Sequence, residues 1–165
     1  MKKLLFSTFI LTFTFCQNLI SQELCTDTSA IYSFEYDGKN YGIVKDKMIW
    51  SDATACSYQL GGTLARIDDQ AEQDAIMSEI SNAGITNSNT IAPDGGGASY
   101  LWLGGGDMGE EGKWEWVGEN GQTTTFWQGN NTGSAVDGLY SNWGGGFLMS
   151  VENQIIIWVI KTRLA

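Results

Sequence analysis

The chain has 165 residues, 42% of them hydrophobic, enough for one domain with its own core. Nine basic residues against nineteen acidic ones give a formal charge of −10, a balance that disfavours nucleic acid and anionic membrane surfaces. Histidine is absent, which excludes Ser-His-Asp and Cys-His catalysis and histidine-ligated zinc.

Residues 1–21 read as a secretory signal. Lys2 and Lys3 form a basic start, residues 4–15 an apolar stretch too short to span a bilayer, and Ser21 a small residue before a cut. The expected location is therefore extracellular, without a membrane span. Cys16 offers a lipoprotein reading, disfavoured because Phe15 is a poor residue just before a lipidated cysteine. Loss of the signal removes two lysines and no acids, taking the formal charge to −12. Cys25 and Cys56 remain and could pair in an oxidising compartment.

Residues 31–36, the Asp37-Gly38 turn and residues 39–44 predict a hairpin, since Asp-Gly between alternating apolar residues sets a tight turn. Ser51 is the expected cap of a first helix over 51–60, with Trp50, Ala53 and Cys56 at helical spacing and Gly61-Gly62 as the stop. Residues 64–67 read as a strand. Asp69 and Glu72 approximate a capping box at the start of a second helix, expected over 69–83. Ala71, Ala75, Ile76 and Ile80 form its expected buried stripe, and Gly84 its end. Residues 86–99 are polar, contain Pro93 and three glycines, and read as a loop.

From Tyr100 the chain alternates tryptophan and glycine: Y-L-W-L-G-G-G, then G-K-W-E-W-V-G, then T-F-W-Q-G, then Y-S-N-W. Five of the seven tryptophans fall here, at 102, 114, 116, 127 and 143. Tryptophan is costly to leave in water, so this pattern predicts short strands and tight turns around an aromatic core. The order of these motifs resembles the C-type lectin-like domain family. That family carries a Trp-Ile-Gly-Leu core strand, a Gly-x-Trp-x-Trp strand and a Tyr-x-Asn-Trp segment in this sequence. The stretch W-S-D-A-T-A-C-S-Y-Q-L-G-G-T-L-A-R-I resembles its first helix and the strand that follows. The resemblance implies an α+β fold, with two helices packed on short, mainly antiparallel strands and a long loop region. It places the domain over residues 30–146, with Trp50, Leu64, Ile67, Trp102, Leu103, Trp114, Trp116 and Trp143 as structural core. Trp102, Trp114 and Trp116 are expected to share one core with Leu64 and Ile67. In the family, the helix cysteine that Cys56 matches pairs near the domain's C-terminus. No cysteine stands there, so the resemblance does not predict a Cys25–Cys56 bond.

After Tyr-x-Asn-Trp the family continues with a Gly-Glu-Pro-Asn-like calcium loop, a Trp-Asn-Asp strand and a closing strand. This chain gives F-L-M-S-V-E-N-Q-I-I-I-W-V-I-K-T-R-L-A. One reading of the apolar run 155–160 is a fully buried final strand. The other is that residues 147–165 are a frame-shifted translation, through mutation or a sequencing error, so that the family's last strands are missing or non-native. Taking the third base of each codon with the first two of the next permits Gly-Glu-Pro-Asp-Asn-Tyr-Leu-Gly-Asn-Gln-Asp from residue 151. The junction of Trp158 and Val159 forces the second glycine.

A hard cation needs six to eight oxygen ligands, which those two family motifs largely supply. Neither motif exists here as translated, so the chain is expected to hold no cofactor, although calcium is expected in an intact family member. Asn142 and Trp143 precede the loop and read as structural. Asp107, Glu110, Glu111, Glu115 and Glu119 read as a solvated acidic face rather than a cation site. Glu110 and Glu115 as a glycosidase pair would need a cleft that a strand hairpin rarely offers. Asn130-Asn131-Thr132 is a glycosylation sequon. The expected function is a secreted carbohydrate- or surface-ligand-binding module, not an enzyme, whose calcium and sugar site is lost. Its ligand-binding residues are not identifiable in the sequence, and no catalytic or metal residue is assigned. The alternatives are a lectin-fold protein-interaction module independent of calcium and, least favoured, a small secreted glycoside hydrolase.

Overall fold

A computed structural model of the chain describes residues 24–86, 88, 101–130, 132–142 and 156–162, the last of these by backbone apart from Lys161. The expectations for the signal segment, Cys16, Pro93, Tyr100, Trp143 and residues 147–155 fall outside these residues.

Strands β1 (Ile31–Tyr36) and β2 (Lys39–Met48) form the expected hairpin, antiparallel from Ile31↔Val44 to Tyr36↔Lys39. Asp37 and Gly38 both have positive φ, 49° and 66°, the geometry a two-residue turn between twisted strands requires. β2 runs four residues further than the alternation suggested. Its continuation carries Lys45 to Met48 towards helix α1 (Trp50–Gln59).

α1 begins one residue before the expected start. Ser51 lies inside the helix, and Ile49 stands at the N-cap with no side-chain hydrogen bond. Burial of Trp50, Ala53 and Cys56 on one face fixes this helix in place of a cap. Strand β3 (Gly62–Leu64) is earlier and shorter than the expected 64–67, although Ile67 is buried beyond it.

Helix α2 (Gln70–Asn82) follows the capping-box reading. Asp69 is the N-cap and its carboxylate accepts the Glu72 N–H at 2.8 Å. Its end is set by Gly84 at φ 74°, with Ile85 N–H reaching the Ile80 carbonyl at 3.2 Å. The buried stripe differs from expectation. Ile76 is buried, Ala75 and Ile80 are partly so, Ala71 is exposed, and Glu72 is buried in its stead.

The second sheet is built from β4 (Gly105–Gly106), β5 (Lys113–Val117), β6 (Thr123–Gln128) and β7 (Ser134–Ala135), in that spatial order and antiparallel throughout. Along β5 burial alternates, with Trp114 and Trp116 inward and Lys113 and Glu115 outward. The two sheets meet at residues 64–65 and 104. Gly104 N–H donates to the Ala65 carbonyl at 2.9 Å and Val117 N–H to the Gly104 carbonyl at 2.8 Å. A β-carbon on Gly104 would stand 2.7 Å from the Leu64 carbonyl oxygen, so this approach requires glycine.

Strand β8 (Ile156–Thr162) lies between β2 and β3, giving the first sheet the order β1-β2-β8-β3. Ile160 stands opposite both Gly42 and Leu64. A strand thus occupies the place between β2 and β3, formed by the apolar run that one reading of the sequence makes a final strand. Both its neighbours otherwise present unpaired backbone groups along that line, and a run rich in β-branched residues is suited to pair with them.

The expected core residues Trp50, Leu64, Ile67, Trp102, Trp114 and Trp116 are buried, and Leu103 is partly so. They do not form one core. Leu64 and Trp102 pack with Trp50, Val44, Ala53 and Cys56. Ile67 packs with Tyr41, Ile43, Ala65, Ile76 and Ala83 under α2. Trp114 and Trp116 pack with Phe126, the Trp116 and Phe126 rings stacked at 4.4 Å. Leu103 touches the last two clusters.

Candidate functional site

Cys25 and Cys56 are joined in a disulfide with Cα atoms 5.5 Å apart. It ties the segment preceding β1 to the buried face of α1 and gives Cys56 a partner at the opposite end of the chain from the family's usual one.

Among the described residues the most buried charged group is Glu72, 2% exposed. Its carboxylate accepts the Asp68 N–H at 2.6 Å and the Lys161 Nζ at 2.8 Å, and the Tyr41 hydroxyl donates to it. Burial, and then the hydrogen bond to Glu72, raise the Tyr41 phenol far above its ordinary pKa of 10.0, so it remains a donor. Lys161 also reaches Asp68 at 3.3 Å and lies 5.6 Å from the Tyr41 ring centre. These three donors compensate the burial of the carboxylate. The sequence held a partial signal in the Asp69–Glu72 box, but the pairing with Lys161, 89 residues away, had none.

The acidic residues of the lower half are dispersed. Asp107 accepts the Gly112 N–H at 3.2 Å, while Glu110 and Glu111 are exposed in the turn before β5. Glu115 lies on the outer face of β5 and is paired with Lys113 at 2.9 Å, with Thr123 and Thr125 donating to it at 3.1 and 3.2 Å. The Lys113 hydrogen bond holds the Glu115 carboxyl below its ordinary value of 4.5. A carboxylate committed in this way on a sheet surface is poorly placed as a glycosidase acid or nucleophile. Among the described residues, no group of three or more His, Cys, Asp or Glu is placed to share a metal ion.

Two concavities flank the second sheet. One, about 100 Å³ and mainly apolar, is lined by Ile67, Trp102, Leu103, Trp114 and Tyr140, with Asn142 at its margin. Tyr140 is anchored there by its hydroxyl, 3.0 Å from the Gln70 and 2.9 Å from the Gln73 side-chain oxygen. The second, about 330 Å³ and more polar, lies between β3 and the turn joining β5 to β6. No helix among the described residues is long and apolar enough to cross a membrane.

Over 111 residues the chain is 26% identical to halomucin of Haloquadratum walsbyi, a match covering 64% of this chain and 1% of halomucin. The chain thus spans about one hundredth of that relative's length. Human lithostathine has a similar structure, with a TM-score of 0.56 at 18% identity over 80% of this chain and 97% of lithostathine. The trimeric Kupffer cell C-type lectin receptor Clec4f aligns with a TM-score of 0.45 at 18% identity, over 80% of this chain and 83% of the receptor. Residues 46–153 match the family model of the lectin C-type domain. The order of tryptophan motifs, the two helices and the two antiparallel sheets agree with that match, and the chain belongs to the C-type lectin domain family.

Proposed function

We propose that this chain is a secreted recognition module of C-type lectin type, directed at a carbohydrate or a cell-surface ligand, in which the calcium-dependent sugar site is lost. The observation that carries the reading lies in the sequence. The family's motifs run in order through Tyr140-Ser141-Asn142-Trp143, and the Gly-Glu-Pro-Asn-like and Trp-Asn-Asp-like oxygen ligands do not follow. The altered frame of residues 147–165 permits a Gly-Glu-Pro-Asp-Asn spelling, which supports the loss being a frame shift within a gene that once encoded the site. Its basic start and apolar stretch support export, and the cystine is suited to an oxidising compartment. Family membership favours binding over catalysis.

The test is retention on immobilised mannose and galactose, with calcium and with EDTA, for this chain and for one carrying the restored frame. The expected result is calcium-dependent retention of the restored chain alone. Calcium-dependent retention of this chain would refute the lost site. Failure of the restored chain to bind either sugar would favour the second reading, a calcium-independent protein-interaction module.

A further inference from the structure

We propose that the cleft between β3 and the β5–β6 turn is a calcium-independent site for a neutral, polyhydroxylated ligand, a saccharide unit. Its volume, about 330 Å³, suits such a unit. Trp116 and Val117 are the apolar residues that line it, and Thr63, Asn120, Gln122 and Thr124 the neutral polar ones. None of these four polar side chains makes a hydrogen bond to another described residue. Residues carrying two amides and two hydroxyls, each able to donate and accept, therefore border one cavity with no partner among the described residues.

The frame that carries them is fixed. Gly118 N–H donates to the Gln122 carbonyl at 2.7 Å, and Gln122 N–H returns to the Glu119 carbonyl at 3.2 Å. The Tyr58 hydroxyl, from α1, holds the Gly118 carbonyl at 3.1 Å. Donors on an ordered turn bind without the entropy cost of ordering them first.

The local charges define the ligand class. Arg66 and Lys161 line the cleft, but Arg66 is paired with Asp68, and Lys161 with Asp68 and Glu72. Glu119 adds a further carboxylate at the rim. With its cations already compensated, the cleft gives an anionic ligand little gain, whereas amides and hydroxyls match sugar hydroxyls. The residues leading into the family's calcium loop are elsewhere, since Asn142 borders the apolar cavity and not this cleft.

The inference rests on the lectin-type reading, and the experiment separates the two. Amide chemical shifts of the full chain are followed during titration with the methyl glycosides of glucose, galactose and mannose, in EDTA and then in calcium. The expected shifts fall on residues 62–66 and 117–124, are the same in both buffers, and correspond to binding in the millimolar range. The triple variant Asn120→Gly, Gln122→Ala, Thr124→Val is expected to bind about tenfold more weakly or not at all. Asn120 has φ 59°, which glycine adopts freely, and the other two positions are exposed, so the variant keeps its fold, checked by its amide dispersion. Unaltered binding by the variant, or shifts confined to other residues, overturns the proposal. Shifts near Asn142 that appear only with calcium overturn both it and the lost calcium site. No shift with any glycoside overturns this proposal alone and leaves the protein-interaction reading standing.

Discussion

Trp102 shows what a single side chain secures in this fold. It is 7% exposed, and its indole N–H donates to the Met48 carbonyl at 3.0 Å, while Trp50 makes the reciprocal kind of bond to the Leu103 carbonyl at 2.9 Å. Together they stitch the end of β2 to the segment that enters the second sheet. Trp102→Ala is expected to cost ~3–5 kcal/mol in denaturant unfolding, from lost burial and an orphaned carbonyl. An effect below about 1 kcal/mol would mean that the indole is not buried in solution. Glu115 gives a prediction in pH. Its folded pKa lies below the ordinary 4.5, so its contribution is present above that value and is lost as pH falls through the lower, folded one. In acid titrations of stability, Glu115→Gln should remove that part of the slope and leave the rest. Residues such as Trp102 were readable because tryptophan at strand spacing has few other uses. The sequence around Glu72 signals a cap and not a buried carboxylate, since that burial depends on donors brought by distant elements.

At the scale of elements, the hairpin and α2 were readable because their signals are local: Asp37-Gly38 at one turn, Asp69, Glu72 and Gly84 at the two ends of a helix. α1 starts one residue before the expected position because packing of Trp50 extends it past Ser51. The cystine was left open by the sequence, as nothing local states which cysteines meet. It closes a loop of sequence separation 31, for which chain entropy gives about 3–4 kcal/mol. Cys25→Ser should lower stability by that order under oxidising conditions and by little in the presence of reductant, as measured by paired urea melts. Equal loss in both conditions would show that Cys25 acts through packing alone. Strand β8 can be tested through Lys161, its one described side chain. Lys161→Met leaves Glu72 with Tyr41 and the Asp68 N–H but no cation, at an expected cost of about 2–3 kcal/mol. Most of that loss should be recovered by adding Glu72→Gln, which removes the charge needing compensation. If Lys161→Met is silent, β8 does not dock in solution as described.

For the whole molecule the question is whether residues 156–162, which pair between β2 and β3, are native to that position. An open line between β2 and β3 presents backbone donors and acceptors that any β-branched segment can satisfy, so pairing alone does not make residues 156–162 the strand for which the gap evolved. The same run, when undocked, is a hydrophobic β-segment without an interrupting charge until Lys161, a pattern that associates. The sequence revealed the frame because its motifs are short and local. It left the ligand undetermined because the polar cleft is assembled from Thr63, the 118–124 turn and β8, each unremarkable alone. If residues 147–165 are frame-shifted, the chain should show a concentration-dependent melting temperature and a growing oligomer fraction in light scattering. The restored-frame chain should be monomeric and should melt higher when calcium is added. Extracellular calcium modules bind at ~10⁻⁴–10⁻³ M, and a hundredfold excess over Kd adds about 2.7 kcal/mol to a state that binds while its unfolded form does not. That increment is the discriminating quantity, since better packing alone would raise the melting temperature equally in EDTA. Resequencing the gene tests the premise independently: bases that cannot spell Glu-Pro-Asp-Asn in the alternative frame would make β8 a native strand, and calcium should then leave the melt of this chain unchanged.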